Sequence, residues 1–123
     1  MMKIRRQTLP EAIDIFLLSV GQDGHIASLF PENSALQENS RSVVPVVGPK
    51  SPPNRLTITP RVVHSAKSIF LFVIGKEKGR ILAQALKSPN NIVLLPVRLV
   101  IGATWFLDHD SVEQIKKITL KTR

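Results

Sequence analysis

The sequence of 123 residues contains no cysteine and no tyrosine, and it has only one tryptophan and five phenylalanines. The absence of cysteine excludes a disulfide framework, a thiolate metal site and a cysteine nucleophile, and it fits a reducing cytoplasm. So few aromatic residues offer no platform on which nucleic-acid bases would stack. We therefore predict no nucleic-acid binding, although a net charge of +8 favours an anionic partner of some kind.

Long hydrophobic runs are also missing. The first continuous apolar run, Ile15 to Leu18, is far shorter than the roughly 20 residues of a membrane span. Glu11 and Asp14 interrupt the approach to this run, which argues against a secretory signal peptide. We therefore expect a soluble cytoplasmic protein that does not bind membranes.

Several motifs that would indicate a particular chemistry do not occur. The chain has no G-x-S-x-G nucleophile elbow, no phosphate-binding loop of the form G-x-x-x-x-G-K-[ST] and no G-x-G-x-x-G fingerprint. Its three histidines, His25, His64 and His109, show no helical ligand spacing. We accordingly expect no metal and no organic cofactor.

The order of apolar runs predicts an α/β fold with a mostly parallel sheet flanked by helices, in a single domain over residues 1–123. Ile13–Ser19 and Ser68–Ile74 are unbroken apolar runs that end in glycine turns, which is typical of neighbouring buried parallel strands. The other predicted elements are a helical turn at Ile26–Phe30, an extended piece at Val43–Val47, strands at Arg55–Thr59 and Ala103–Asp108, and helices from Pro60, over Lys76–Ser88 and over Ser111–Leu120.

The turn Gly21–His25 follows the first predicted strand, at the end of the sheet where ligands gather in such folds. Glycines at 21 and 24 let the backbone bend tightly. A neutral imidazole at His25 accepts a proton near pH 7, and the carboxylate of Asp23 is suited to fixing its tautomer. The residues alone also allow His25 to be a ligand or a cap, and Asp23 to be a turn or helix cap.

A second basic site follows the strand that ends at Gly75. The letters GKEKGR place two lysines and an arginine at a helix start, where backbone N–H groups and the helix dipole favour an anion. Arg55 lies between a proline-rich loop and a predicted strand, and its planar guanidinium suits a phosphate or a carboxylate. Both features are equally compatible with an ordinary solvated surface.

Four segments, VGQDGHIASLFPENSAL, SPPNRLTIT, FVIGKEKGR and TWFLD, together resemble the 6-phosphogluconolactonase family, which is related to the glucosamine-6-phosphate deaminases. The resemblance runs from about Ile13 to about Ile115, and the segments occur in the family's order. The DGH turn followed by A-S-L-F-P is the specific part. It is closer to the lactonase form than to the deaminase form, which contains an N-E-P.

The resemblance implies hydrolysis of 6-phosphoglucono-1,5-lactone to 6-phosphogluconate in the oxidative pentose phosphate pathway, without a metal or organic cofactor. By this resemblance His25 matches the general base that deprotonates a water molecule attacking the lactone carbonyl. Asp23, Gly21 and Gly24 match the turn that presents this histidine.

The resemblance also indicates which residues hold the phosphorylated sugar lactone. Arg55 matches the arginine of the family's proline-rich block, and Lys78 matches the lysine of its G-x-x-K block. Both belong to the part that holds the phosphorylated substrate, so they are the candidate substrate-binding residues together with the two glycines of the DGH turn.

One departure from the family concerns length. Its members are about twice as long, and they begin with a half that carries an S-G-G-S/T phosphate loop and a D-E-R block, neither of which occurs here. The chain thus resembles the C-terminal half only, and we expect impaired activity, an uncovered sheet edge and uncovered apolar helix faces. A separate N-terminal half or self-association is the expected cover.

Two interpretations other than catalysis stay open. The first is a non-catalytic remnant or subunit that binds a phosphosugar or a partner protein. The second, more distant, is a basic nucleic-acid-binding module.

Overall fold

The computed structural model describes residues 12–121, with side chains through residue 118, so the ends of the predicted domain lie outside the described residues. Within this range the chain forms five strands and three α-helices. The strands are β1 (Ile15–Ser19), β2 (Val43–Val47), β3 (Asn54–Ile58), β4 (Ser68–Val73) and β5 (Thr104–Leu107), and the α-helices are α1 (Pro60–Ser65), α2 (Lys76–Lys87) and α3 (His109–Lys121).

The main sheet has three parallel strands in the order β1-β4-β5. Leu18 pairs with Leu71, and Leu71 in turn pairs with Trp105. Apolar β-branched and aromatic residues suit this pleated surface. The prediction that the first apolar run and the run Ser68–Ile74 form neighbouring parallel strands is confirmed.

A separate two-stranded sheet lies between β1 and β4 in the chain. β2 and β3 pair antiparallel, with Val44 opposite Thr57. A proline-rich loop, which contains a cis bond between Ser51 and Pro52, connects them. Because this loop is too short for a parallel crossover, the two strands pair antiparallel as a hairpin.

The hydrophobic core lies on one face of the main sheet. Leu18 and Leu71 point into it, and residues from all three α-helices and from a 3₁₀ helix at Pro96–Val100 pack against them. The residues that these elements contribute to the core are Val63, Leu82, Ala85, Val97, Val100 and Ile115.

The other face of the main sheet is open, which corrects the prediction of strands buried on both sides. Ile15 is 62% exposed and Leu17 is 63% exposed. Parallel crossovers are nearly always right-handed, so a chain that moves in one direction from β1 to β4 to β5 places its connecting helices on one face. The unbroken apolar pattern predicted burial of both faces of β1, but the described residues bury only one of them.

One local prediction turns out differently in the structure. Ile26–Phe30 is not a helical turn, because Ile26 forms isolated bridges with Val20 and Leu29, and Ala27 has a φ of 50°. A residue in the left-handed region cannot continue a right-handed helix. The 3₁₀ helix begins at Pro96, and its second residue, Val97, is fully buried.

α1 and α2 start where the sequence pattern predicts, whereas α3 starts at His109, two residues before the predicted Ser111. Pro60 is the first residue of α1, where its missing N–H costs nothing. α2 follows Gly75, which has a φ of 95°, and α3 follows Asp108. The Asp108 carboxylate accepts N–H hydrogen bonds from Gly75 at 3.1 Å and from Ser111 at 3.0 Å, so one side chain links the starts of both helices.

Candidate functional site

The DGH turn closes on itself directly after β1. The N–H of Gly21 donates to the carbonyl of His25 at 2.8 Å, and the N–H of Gly24 donates to the carbonyl of Gly21 at 3.0 Å. Gly24 has a φ of 89°, a conformation that glycine adopts without strain. This turn presents the His25 side chain at the carboxyl end of the sheet.

Asp23 and His25 are in direct contact. His25 Nδ1 lies 2.5 Å from Asp23 Oδ1, and the backbone N–H of His25 donates to the same oxygen at 3.1 Å. Because an ionised carboxylate only accepts hydrogen bonds, the ring proton is on Nδ1 and the Nε2 lone pair is available to accept a proton. The contact left open by the sequence is therefore present in the structure.

The pKa of Asp23 lies below its usual value. Burial is the largest single influence and raises this pKa, because it disfavours the charged carboxylate. The hydrogen bonds from the side chain and backbone of His25, with the attraction between the two groups, together outweigh burial and lower it. Asp23 therefore remains a carboxylate facing the imidazole at neutral pH.

Close packing fixes the position of the His25 ring. A Cβ added at Gly21 would lie 2.1 Å from His25 Cε1, so only glycine leaves room for the imidazole there. On another side the ring packs against Phe30, with 4.9 Å between ring centroids and an angle of 45° between planes. The imidazole is thus held by a carboxylate, a glycine and an aromatic ring.

The 3₁₀ helix and Leu95, the residue before it, pack against the DGH turn. The N–H of Val97 donates to the carbonyl of Gly24 at 2.9 Å. A Cβ at Gly24 would lie 2.6 Å from Leu95 Cδ2, so this leucine packs against the glycine. Arg98, only 8% exposed, donates to the carbonyls of Gln84, Ala85 and Asn91 and so fixes this segment to the end of α2.

Lys78 and His25 line the same open cleft, which has a volume of about 460 Å³. Lys78 lies in the first turn of α2, and its Nζ donates to Ser19 Oγ at the end of β1 at 3.3 Å. The cleft floor comes from β1, and Ala27 completes the rim. One side of the His25 imidazole therefore faces this cleft, which is also lined by the positively charged Lys78.

Arg55 lies in a second, smaller cavity of about 100 Å³ that also includes His25 and Asp23. Its Nε donates to the Pro52 carbonyl at 2.9 Å, and its guanidinium carbon lies 5.4 Å from the centroid of the Phe30 ring. Among the described residues no carboxylate forms an ion pair with this arginine. Its terminal nitrogens are available for an anion.

The structure thus brings every predicted site residue near His25, but in two adjoining cavities rather than in one cleft. Lys78 lies in the larger cavity and Arg55 in the smaller one. Lys50 also lines the smaller cavity, and sequence reasoning missed it. The available signal was its position in the same proline-rich loop that precedes Arg55.

Other candidate chemistry does not appear in the described part of the chain. His64 and His109 are both exposed and line neither cavity. Within residues 12–121 no cluster of three or more histidines and acidic residues has metal-binding geometry. No helix in this range is long and apolar enough to cross a membrane.

A parallel sheet with helices after its strands defines an α/β protein, and a histidine oriented by a carboxylate lies at the carboxyl end of that sheet. The family model of glucosamine-6-phosphate isomerases/6-phosphogluconolactonase matches residues 2–107, and the chain belongs to this family. The family resemblance predicted from the sequence is confirmed.

Individual relatives agree with this assignment. The chain is 34% identical over 110 residues to 6-phosphogluconolactonase of Streptomyces coelicolor, covering 86% of this chain and 42% of that protein. It is 38% identical over 107 residues to 6-phosphogluconolactonase of Rattus norvegicus, covering 83% of this chain and 40% of the rat protein. The chain therefore spans about two fifths of the length of these relatives.

Solved structures confirm the predicted α/β fold. The crystal structure of 6-phosphogluconolactonase from Leishmania guyanensis superposes with a TM-score of 0.71 at 28% identity, covering 93% of this chain and 46% of that one. The devB protein gives a TM-score of 0.71 at 31% identity, covering 85% of this chain and 45% of that one. These partial matches are consistent with a C-terminal half of the longer fold.

Proposed function

We propose that this chain supplies the general-base half of an enzyme that hydrolyses 6-phosphoglucono-1,5-lactone to 6-phosphogluconate in the oxidative pentose phosphate pathway. The observation that carries the proposal is the 2.5 Å contact between His25 Nδ1 and Asp23 Oδ1. That contact leaves Nε2 as a base beside a cleft large enough for a sugar lactone. The names of the relatives support the same substrate.

In the proposed reaction, His25 Nε2 accepts a proton from a water molecule as the water oxygen attacks the lactone carbonyl carbon. The carbonyl π bond opens to an oxyanion, and the Asp23 carboxylate stabilises the imidazolium that forms. When the oxyanion collapses, the bond between the carbonyl carbon and the ring oxygen breaks. The imidazolium returns its proton to that oxygen, so the product is a hydroxy acid and the histidine is regenerated.

The phosphate of the substrate is assigned to the cations beside His25. Arg55 and Lys78 are the proposed contacts, and Lys50 adds a third positive charge at the smaller cavity. Both cavities include His25, so a ligand whose carbonyl meets the imidazole has cations on both sides of that ring. The net charge of +8 would favour the approach of a dianion.

Substrate binding by this chain alone is incomplete under the proposal, because relatives have more than half of their residues outside the matched region. We infer that the region equivalent to the rest of the relatives completes the phosphate site. The proposal needs no metal or organic cofactor, since water is the nucleophile, the ring oxygen is the leaving group and His25 carries the proton between them. A cytoplasmic location, without nucleic acid or membrane, belongs to the same proposal.

The test uses a fusion in which the full chain replaces the matched 110 residues of the Streptomyces coelicolor relative. Acid release from freshly prepared 6-phosphogluconolactone is measured and corrected for spontaneous hydrolysis. A lost general base is expected to lower kcat by about 10²–10⁴-fold in His25→Ala. His64→Ala, which removes an exposed imidazole outside both cavities, is the matched control and should keep the parent rate.

Two results would overturn the proposal. One is a His25→Ala fusion with the parent kcat, which would show that another group acts as base. The other is a folded fusion that binds the product 6-phosphogluconate but does not hydrolyse the lactone, which would favour the non-catalytic phosphosugar-binding interpretation.

A further inference from the structure

Among the described residues, Arg98 is the only charged residue that is buried, with 8% of its surface exposed. No carboxylate in this part of the chain forms an ion pair with its guanidinium. A buried charge costs stability unless other polar groups replace the water that it has lost. The groups that surround the Arg98 guanidinium therefore indicate what this arginine does.

The partners of Arg98 are three backbone carbonyl groups. Its terminal nitrogens donate to the carbonyls of Asn91 at 2.8 Å and Gln84 at 3.1 Å, and its Nε donates to that of Ala85 at 3.2 Å. Gln84 and Ala85 belong to the last four residues of α2, whose carbonyls have no N–H partner within the helix. A cation at this end is also favoured by the helix dipole. Arg98 thus caps the C-terminal end of α2 from another element.

The element that carries Arg98 is the 3₁₀ helix that packs against the DGH turn. Val97, the preceding residue, donates its N–H to the Gly24 carbonyl at 2.9 Å. Gly24 directly precedes His25, whose side chain lines the larger cleft. The 3₁₀ helix therefore connects the Arg98 guanidinium to the backbone beside the imidazole.

The other cation-bearing wall of the larger cleft comes from α2. Lys78 lies in the first turn of this helix and lines the cleft together with His25. At 1.5 Å per residue, Lys78 and Gln84 are about 9 Å apart along the helix axis. Because a short straight helix moves as one element, a contact that fixes its C-terminal end also fixes the direction in which its first turn lies.

We propose that Arg98 is a positioning residue that holds the DGH turn, with His25, in a fixed place relative to α2, with Lys78. It lines neither cavity, so it acts through the elements that it joins rather than by touching the substrate. A planar guanidinium suits this task because its fixed fork of donors reaches several carbonyls at once. The inference rests on the proposed function for the role of His25 as the base.

Arg98→Met tests the proposal in the fusion with the Streptomyces coelicolor relative, because methionine fills similar space but donates no hydrogen bond. Misplacing a catalytic group by about 1 Å costs up to about 10²-fold, so kcat for 6-phosphogluconolactone should fall by about 10–10²-fold. KM should change much less, because the proposed phosphate contacts stay in place. Arg98→Lys should recover part of the lost kcat, since its ammonium reaches some of the carbonyls.

Val62→Ala is the control for a general loss of stability. Val62 is 6% exposed in α1 and lies outside the core cluster that packs around the main sheet, so its truncation should destabilise the fold without moving the DGH turn. Its kcat should equal that of the parent fusion at a temperature where both are folded. Circular dichroism and urea denaturation measure the folded fraction of every variant.

Amide hydrogen exchange, followed by NMR on the full-length chain alone, tests the positioning without turnover. The N–H groups of Gly24 and Val97 report on the DGH turn and its support, and that of Leu71 reports on the centre of the main sheet. If opening of the turn breaks the Arg98 hydrogen bonds, Arg98→Met should accelerate exchange at all three by about tenfold or more. Val62→Ala should accelerate exchange at Leu71 only.

Three results would overturn the proposal. The first is the parent kcat in the Arg98→Met fusion. The second is faster exchange at Leu71 with no change at Gly24 and Val97. The third is equal acceleration at Gly24 by Arg98→Met and Val62→Ala, which would make Arg98 a general stabilising residue. If the fusion that keeps Arg98 does not hydrolyse the lactone, the proposed function fails, while the exchange rates still decide the positioning.

Discussion

At the scale of single residues, the position of His25 depends on what its neighbours allow. Asp23 orients the ring through Nδ1, and Gly21 leaves the space that the ring occupies. The presence of a histidine and an aspartate in a glycine-rich turn was readable from the sequence. Their contact was not, because a two-residue spacing is compatible with many turn geometries, and only the closed turn sets the distance.

The ionisation of Asp23 gives a test at this scale. Burial raises its pKa, but the hydrogen bonds from His25 outweigh burial and lower it in the folded state. A carboxyl whose pKa is lowered by folding stabilises the fold above its unfolded pKa, and this stabilisation is lost as the pH falls through the lower folded pKa. The carboxyl ¹³C resonance of Asp23 should therefore titrate at lower pH in the folded than in the urea-denatured chain.

His25→Ala should move this folded-state midpoint upward, because the substitution removes the side-chain hydrogen bond while burial continues to raise the pKa. His64→Ala should leave it unchanged. Identical midpoints in the folded and denatured chains would show that the contact does not persist in solution.

At the scale of elements, the two helices that follow β4 and β5 pack together at a glycine. A Cβ added at Gly79 in α2 would lie 2.5 Å from the Cα of Ser111 in α3. The same serine donates its N–H to Asp108, whose carboxylate also receives the N–H of Gly75. The start of α2, which carries Lys78, is therefore positioned by its packing against α3.

Gly79→Ala tests this packing. In an open helix this change stabilises by about 0.5–1 kcal/mol. Here the added methyl meets backbone atoms, and overpacking should lower the free energy of unfolding by about 1–3 kcal/mol, measured by urea denaturation. Gly102→Ala is the control, because nothing lies within 4 Å of its added Cβ. Equal or greater stability of Gly79→Ala than of the parent would contradict the close approach of the helices.

At the scale of the whole molecule, the described residues fold around a sheet that they cover on one side. It contains the proposed base and two or three cations, while its relatives extend well beyond the matched region. Binding energy from the phosphate normally orients a substrate against its catalytic groups. A chain that supplies only some of the phosphate contacts should bind the lactone weakly.

We therefore expect the chain alone to show a kcat/KM for 6-phosphogluconolactone far below that of the fusion described above, with the loss mainly in KM. Initial rates over a range of lactone concentrations, corrected for spontaneous hydrolysis, measure both parameters. Adding the absent region in trans should restore activity to the chain but not to its His25→Ala variant. Full activity of the chain alone would show that its own residues complete the phosphate site.

The sequence by itself determined the elements whose signals are local and the residues available for chemistry. Unbroken apolar runs ending in glycine predicted β1 and β4 as parallel neighbours, and an amphipathic run after Gly75 predicted α2. The motifs also identified the family. These features follow from side-chain size, polarity and backbone preference over a few consecutive residues, so they are readable without coordinates.

The tertiary structure decided what depends on the path of the chain through space. It turned Ile26–Phe30 into a bridged turn, paired β2 with β3 as a hairpin, and placed Arg55 and Lys78 in different cavities beside His25. It also shows one face of the sheet that residues 12–121 do not cover. An apolar strand sequence shows only that its side chains favour burial. The handedness and direction of successive crossovers determine which face of the sheet the chain itself can bury.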